Sequence, residues 1–228
     1  MKNNMIYNNI FEKIQQYSDH ETIEHILQGN TALFEILIRR YNPFLYKTGR
    51  AYGYSHHDTE DLMQETFINV YQSLSKFQNR SSFKTWIIKI MLHQCYHKSR
   101  KYSYQKEKAM DVPGNNNKSK IMFLNKNHSD PGKSIVNKEL SHIIETALSK
   151  LPEEYRMTFT LRELTGLNVA ETAALMNVTT SNVKVRLNRA KIMLRKEIED
   201  IYTPEDIYEF NLIYCNKIVD AVMSRISE

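Results

Sequence analysis

Between Lys101 and Val136 the chain loses the apolar periodicity it shows on either side. This stretch holds Gly114, the run Asn115–Asn117, many lysines and Asp130-Pro131-Gly132, and no stripe able to bury itself. Such a tether divides the 228 residues into two blocks, enough for two small domains. Both blocks carry helical spacing, and no segment alternates as a half-buried strand does. Six Gly and five Pro are too few for a turn-rich β protein. The reading is an all-α chain. It has a loosely held segment 1–20, a helical domain 21–100, a linker 101–137, a second helical domain 138–200 and a helical extension 201–228.

In the first block Leu33, Phe34, Leu37, Ile38 and Tyr41 form a helical stripe, which Pro43 is expected to break or restart. A second helix begins near Asp58, with Asp58 or Thr59 as its cap. Its inner stripe is Met63, Phe67, Val70 and Leu74. Asp58, Asp61, Gln64, Glu65 and Gln72 gather on the opposite side with Ile68 among them. Asp61 and Glu65 stand four apart, where like charges cost a few tenths of a kcal/mol in the free helix. A basic partner would relieve that repulsion. The loop Lys76–Ser82 leads to a third helix, near 83–100, in which Phe83 and Trp86 share a stripe with Ile87 and Ile90. His93 and His97 have metal-ligand spacing, but Cys95 lies well round the helix from both. Two ligands without a third make a weak site, so no metal is assigned.

In the second block, Leu140, Ile143, Ile144, Ala147, Leu148 and Leu151 make a clean stripe ended by Pro152. Helices follow near 153–165, 169–176 and 180–200. The segment VAETAALMNVTTSNVKVRLNRAKIMLR reads as a helix-turn-helix. Asn177 suits a left-handed turn position, Val178 plugs the core and Thr179 caps the second helix. That helix buries Val183, Leu187, Ala190 and Leu194. Its other face carries Thr180, Ser181, Asn182, Lys184, Arg186, Arg189, Lys191 and Arg195. Short polar residues in the first turns suit base edges in a major groove, and the later cations suit phosphates. The net charge of +5 and pI near 9.0 favour a polyanionic partner.

The segment LPEEYRMTFTLRELTGLNVAETAALMNVTTSNVKVRLNRAKIMLR resembles the −35-reading region 4 of extracytoplasmic-function sigma factors. The segments FEILIRRYNPFLYKTGR, DTEDLMQETFINVYQSLSKF and SSFKTWIIKI resemble region 2 of that family, in the same order. The likeness covers roughly residues 22–100 and 138–197. It implies a subunit that binds core RNA polymerase, through its β and β′ subunits, reads promoter −35 and −10 elements and helps melt the DNA. It implies polymerase binding at Asp61, Gln64, Glu65 and Ile68. It implies −10 contacts from Lys76, Asn79, Arg80, Lys84 and Trp86. For −35 contacts it implies Arg156, Thr180, Ser181, Asn182, Lys184, Arg186 and Arg189. The chain departs from the family's frequent Asn and Asp at His93 and His97. An anti-sigma factor, common in the family, is a further implied partner.

Other classes fit poorly. The eight His and the carboxylates form no catalytic constellation, and no Gly-rich loop could cradle a phosphate, so no enzyme activity and no cofactor are expected. A helix-turn-helix regulator working without polymerase has no use for the acidic helix 58–72. Two distant cysteines, Cys95 and Cys215, make no disulfide framework, and a reducing cytoplasm is the simplest compartment. The N-terminus has no apolar run with a cleavage site, and nothing approaches the ~18 apolar residues of a membrane span, so no membrane insertion is expected. In the extension, Phe210, Ile213, Ile218, Ala221, Val222 and Ile226 suggest a helix that packs on the second domain, with a regulatory helix as the alternative.

Overall fold

Side-chain caps set where most of the helices begin. The computed structural model describes residues 17–108 and 135–200 and positions 219, 222 and 223. Every regular element among them is helical. Helix α1 (Asp19–Leu27) opens on a capping box in which Ser18 and Glu21 satisfy each other's backbone N–H groups. A 3₁₀ turn at Thr31–Leu33 leads into α2 (Phe34–Tyr52), which ends at Gly53 in the left-handed region. Helix α3 (His56–Ser73) is capped by Ser55, whose hydroxyl accepts the Asp58 N–H at 3.1 Å. The cap expected at Asp58 or Thr59 thus lies three or four residues earlier. Asp58 instead sits in the first turn, paired with Lys98 of α4 at 2.7 Å. Helix α4 (Phe83–Lys108) completes the first domain.

Pro43 does not break α2, contrary to the expectation from the sequence. Proline removes one backbone hydrogen bond, but Leu37, Tyr41 and Leu45 bury their side chains on both sides of it, and that packing holds the helix continuous. Helices α2, α3 and α4 enclose Leu37, Leu45, Leu62, Val70, Ile87, Ile88 and Met91, all 2% exposed or less. Buried threonines on the same helices keep their hydroxyls hydrogen-bonded. Thr48, Thr59 and Thr66 each donate to the carbonyl four residues earlier, at 2.6–2.8 Å. Gly49 is where α2 comes closest to its neighbours. A Cβ there would stand 2.7 Å from Thr59 Cγ2 and 2.8 Å from Met91 Cε.

The second domain comprises α5 (Ile135–Lys150), α6 (Glu153–Phe159), a π-helical turn (Thr160–Leu164), α7 (Val169–Met176) and α8 (Thr180–Glu199). Helix α8 is the common support on which α5, α6 and α7 pack. The two domains also touch. Helix α6 and the π turn lie against α2, and Met157, Leu161 and Leu167 join the apolar cluster of the first domain. A tether alone allows a closed or an extended chain, and the structure is closed. The expectations for 1–16, for most of the linker (109–134) and for 201–228 apart from positions 219, 222 and 223, Cys215 included, lie outside the described residues.

Candidate functional site

Helix α3 is amphipathic by necessity. Leu62, Thr66, Phe67 and Val70 face the bundle, so Asp61, Gln64, Glu65 and Ile68 must face outward, and all four are exposed. Ile68 is 58% exposed, an unusual position for an isoleucine beside two carboxylates. Phe34, Ile38, Met63, Phe67 and Tyr71 join it around an open groove of about 690 Å³. Phe34 stacks edge-on against both Phe67 and Tyr71, with ring centroids 6.4 and 5.1 Å apart. Glu60 borders this apolar groove, and Asp61 and Glu65 line the next depression beyond Ile68, an arrangement that fits a partner bringing both apolar side chains and cations.

Reading α3 as a single wheel missed the α2 half of this groove. Phe34 and Ile38 look like core residues in sequence, and Met63, placed in the inner stripe, packs against the core and lines the groove as well. Tyr71 could have been found, since it follows Ile68 by three and Gln64 by seven on one helix face.

The loop after α3 projects Lys76, Asn79 and Arg80 into solvent. Asn79 has φ 53°, a left-handed position that Asn tolerates, and this turns the loop sharply at its tip. Behind it Phe77, Phe83 and Trp86 pack ring against ring, with centroids 5.0–5.6 Å apart. Phe83 is core, 3% exposed, while Trp86 is half-buried. Helix α4 continues as an exposed face of Lys89, His93, Tyr96, His97 and Arg100. The imidazole Nε2 atoms of His93 and His97 lie 3.0 Å apart. Cys95 is buried between them in sequence but not in space. Its thiol is pushed up to about 12 by desolvation. Among the described residues no three metal-capable side chains converge.

The helix-turn-helix is built by two caps and one left-handed residue. Asn168 and Glu171 form a capping box at the start of α7. Asn177, at φ 53° and ψ 49°, ends α7 and turns the chain. Thr179 accepts the Asn182 N–H at 3.1 Å and starts α8. Val183 and Ala190, both 0% exposed, anchor α8. Thr180, Ser181, Asn182, Lys184 and Arg189 are exposed on the remaining surface, and Arg186 is half-buried.

Two sequence expectations meet a different environment. Arg156 was expected on the DNA face but is 8% exposed. Its Nε donates to the carbonyl of Ala51 at 2.6 Å, and its Nη1 donates to those of Leu151 at 2.8 Å and Ser149 at 3.2 Å. A guanidinium engaged by three carbonyls between two domains cannot reach a phosphate in this arrangement. Lys84 and Trp86, expected at DNA, also face the second domain. Lys84 Nζ donates to the Thr165 carbonyl at 3.2 Å, and Trp86 shares a groove with Met157, Leu175 and Met176. Next to them Glu171 accepts the hydroxyl of Thr85 at 2.7 Å and that of Ser82 at 3.4 Å. Burial pulls the Glu171 carboxyl up. The bonds from Thr85, Asn168 and Ser82 and the charge of Lys84 outweigh it and leave the group below its ordinary value. No sequence signal marks this interface, because Glu171 is already explained as a cap.

Known proteins of similar sequence and shape bear on these surfaces. The family model for Sigma-70 region 2 matches residues 37–104, and that for Sigma-70, region 4 matches residues 141–194. The chain is 27% identical over 191 residues to the ECF RNA polymerase sigma-E factor of Escherichia coli (strain K12), covering 82% of this chain and 97% of that one. It is 26% identical to the protein of the same name from Haemophilus influenzae, over 82% of this chain and 98% of that one. Among solved structures it resembles the sigma factor RpoE of Bartonella quintana, solved with the anti-sigma factor NepR. The TM-score is 0.58 at 20% identity, over 73% of this chain and 96% of that one. CnrH, solved with the cytosolic domain of CnrY, gives a TM-score of 0.53 at 21% identity, over 78% and 96%.

Proposed function

The chain belongs to the extracytoplasmic-function sigma factors, and from that premise we propose how its surfaces divide the work of transcription initiation. It is a sigma factor, an initiation factor that directs RNA polymerase to promoters. The outward face of α3 docks on core polymerase. Asp61 and Glu65 supply charge, Gln64 a hydrogen bond, and Ile68 with the groove behind it the apolar anchor. The first turns of α8 enter the major groove of the −35 element. Thr180, Ser181 and Asn182 approach base edges, and Lys184, Arg186 and Arg189 approach phosphates.

The loop carrying Lys76, Asn79 and Arg80, with Lys84 and Trp86 at the start of α4, holds the −10 strand. Unstacking a base costs a few kcal/mol, and stacking on an aromatic ring returns about 1–3. Capture of this kind needs no covalent step, because binding energy is of the size the unstacking requires. An anti-sigma factor is a partner of the same two-domain body, as NepR and the cytosolic domain of CnrY are for the two structural relatives. The protein works in the cytoplasm, where the polymerase is. Among the described residues no helix is long and apolar enough to cross a membrane.

The observation that carries this reading is the exposed Ile68 beside Asp61 and Glu65, on a different domain from the basic recognition helix. Run-off transcription with core polymerase and promoter DNA tests it. Promoter-dependent transcripts that require the protein are expected, and failure to bind core polymerase would overturn it.

A further inference from the structure

The contacts between the two domains run from α2 onto the start of α4, where they cover the −10 surface, and leave the polymerase face open. On the first domain they use Lys47, Ala51, Ser82, Lys84, Thr85 and Trp86. Four of these side chains are polar donors aimed at acceptors of the second domain. Lys47 reaches the Leu164 carbonyl at 3.3 Å, Lys84 the Thr165 carbonyl at 3.2 Å, and Thr85 and Ser82 the Glu171 carboxylate at 2.7 and 3.4 Å. A DNA strand laid along the start of α4 would need these same donors for its phosphates. Meanwhile Asp61, Gln64, Glu65 and Ile68 stay exposed, and so do Thr180, Ser181, Asn182 and Lys184.

We propose that Glu171 is an internal competitor of the −10 strand: in the closed chain its carboxylate occupies a phosphate's place beside Ser82, Lys84 and Thr85. This rests on the reading that the α3–α4 loop and the start of α4 hold that strand. Glu171 suits the task because α7 fixes it. Its second oxygen accepts the Asn168 N–H at 2.8 Å in the capping box, so the side chain is already ordered when the domains meet. As an anion it also repels an incoming backbone. The closed chain thus presents the α3 face to polymerase but withholds the −10 surface. Docking on polymerase comes first, and strand capture follows separation of the domains. Arg156 completes the latch through Ala51.

The proposal is tested on the full chain with two separate readouts, affinity for core polymerase and affinity for a single-stranded oligonucleotide carrying the −10 element. Glu171→Gln keeps an acceptor and removes the charge, and Glu171→Ala removes the acceptor as well. Either variant, free of polymerase, is expected to bind the oligonucleotide about tenfold more tightly than the native chain, with core affinity unchanged. Unchanged oligonucleotide affinity in both variants overturns the proposal.

A complementary chain carries Ser82→Cys, Glu171→Cys and Cys215→Ser and is clamped with a short, reductant-cleavable bis-maleimide. Cys95 is too buried to compete for the reagent. The clamped chain should still bind core polymerase but lose the oligonucleotide, and reductant should restore it. A clamped chain that retains the oligonucleotide overturns the proposal. Failure of native holoenzyme and cleaved chain alike to hold the oligonucleotide overturns the −10 reading beneath it, and the proposal with it.

Discussion

Arg156 Nε donates to the backbone carbonyl of Ala51 at 2.6 Å, joining residues 105 positions apart and the two domains of the chain. The same guanidinium holds the carbonyls of Ser149 and Leu151, so it also ties the end of α5 to α6. Hydrogen bonds to charged groups contribute about 1.5–3 kcal/mol each. Arg156→Gln is therefore expected to lower the unfolding free energy by about 2 kcal/mol, measured by urea denaturation. It should leave the salt dependence of −35 duplex binding unchanged. Lys184→Gln should do the reverse, with stability kept and the slope of log affinity against log salt reduced by about 1.

Charge reversal on α3 tests the polymerase face. Asp61→Lys with Glu65→Lys should weaken core polymerase binding on the order of a hundredfold or more, while circular dichroism stays native. Ile68→Asp should do nearly as much, because it places a charge in the groove shared with Phe34 and Tyr71. Native affinity in both variants would exclude this face.

Gly49→Ala tests the packing of α2 on its neighbours. Alanine is the better helix former by about 1 kcal/mol. Its methyl would nonetheless stand 2.7 Å from Thr59 Cγ2 and 2.8 Å from Met91 Cε, and overpacking of that kind costs about 1–3 kcal/mol. A net loss of stability is expected in equilibrium unfolding.

The Glu171 carboxyl predicts a pH dependence with a definite sign. Its folded value lies below the ordinary 4.5, so the ionised form is the stabilised one. The stability it contributes is complete above about pH 4.5 and fades as pH falls through the lower folded value. The difference in unfolding free energy between the native chain and Glu171→Gln should be flat at neutral pH and close as pH falls through the lowered folded value.

Burial raises the Cys95 thiol to about 12 and leaves it 0% exposed. At about pH 8 it should resist iodoacetamide in the native chain and react once denaturant opens the first domain, as peptide mass spectrometry would show. Labelling at the native rate of a free thiol would mean that α4 is not packed as described.

Most of what depends on neighbours within a few residues is legible along the chain. The helices follow from periodicity, the turn from Asn177 and Thr179, and the outward faces of α3 and α8 from which side is apolar. Even here two local expectations changed. Pro43 stays within α2 because buried residues on both sides hold it, and Ser55 rather than Asp58 caps α3 because its hydroxyl reaches the free N–H of the first turn. What Phe34 and Arg156 do depends instead on residues far from them in the chain. Phe34 completes a groove with a different helix, and Arg156 spends its charge on the carbonyl of a distant residue. The same holds for Glu171, whose carboxylate caps its own helix and meets Thr85 across the domain boundary. A linear pattern records which face of a helix is apolar, but not which surface 100 residues away is brought against it.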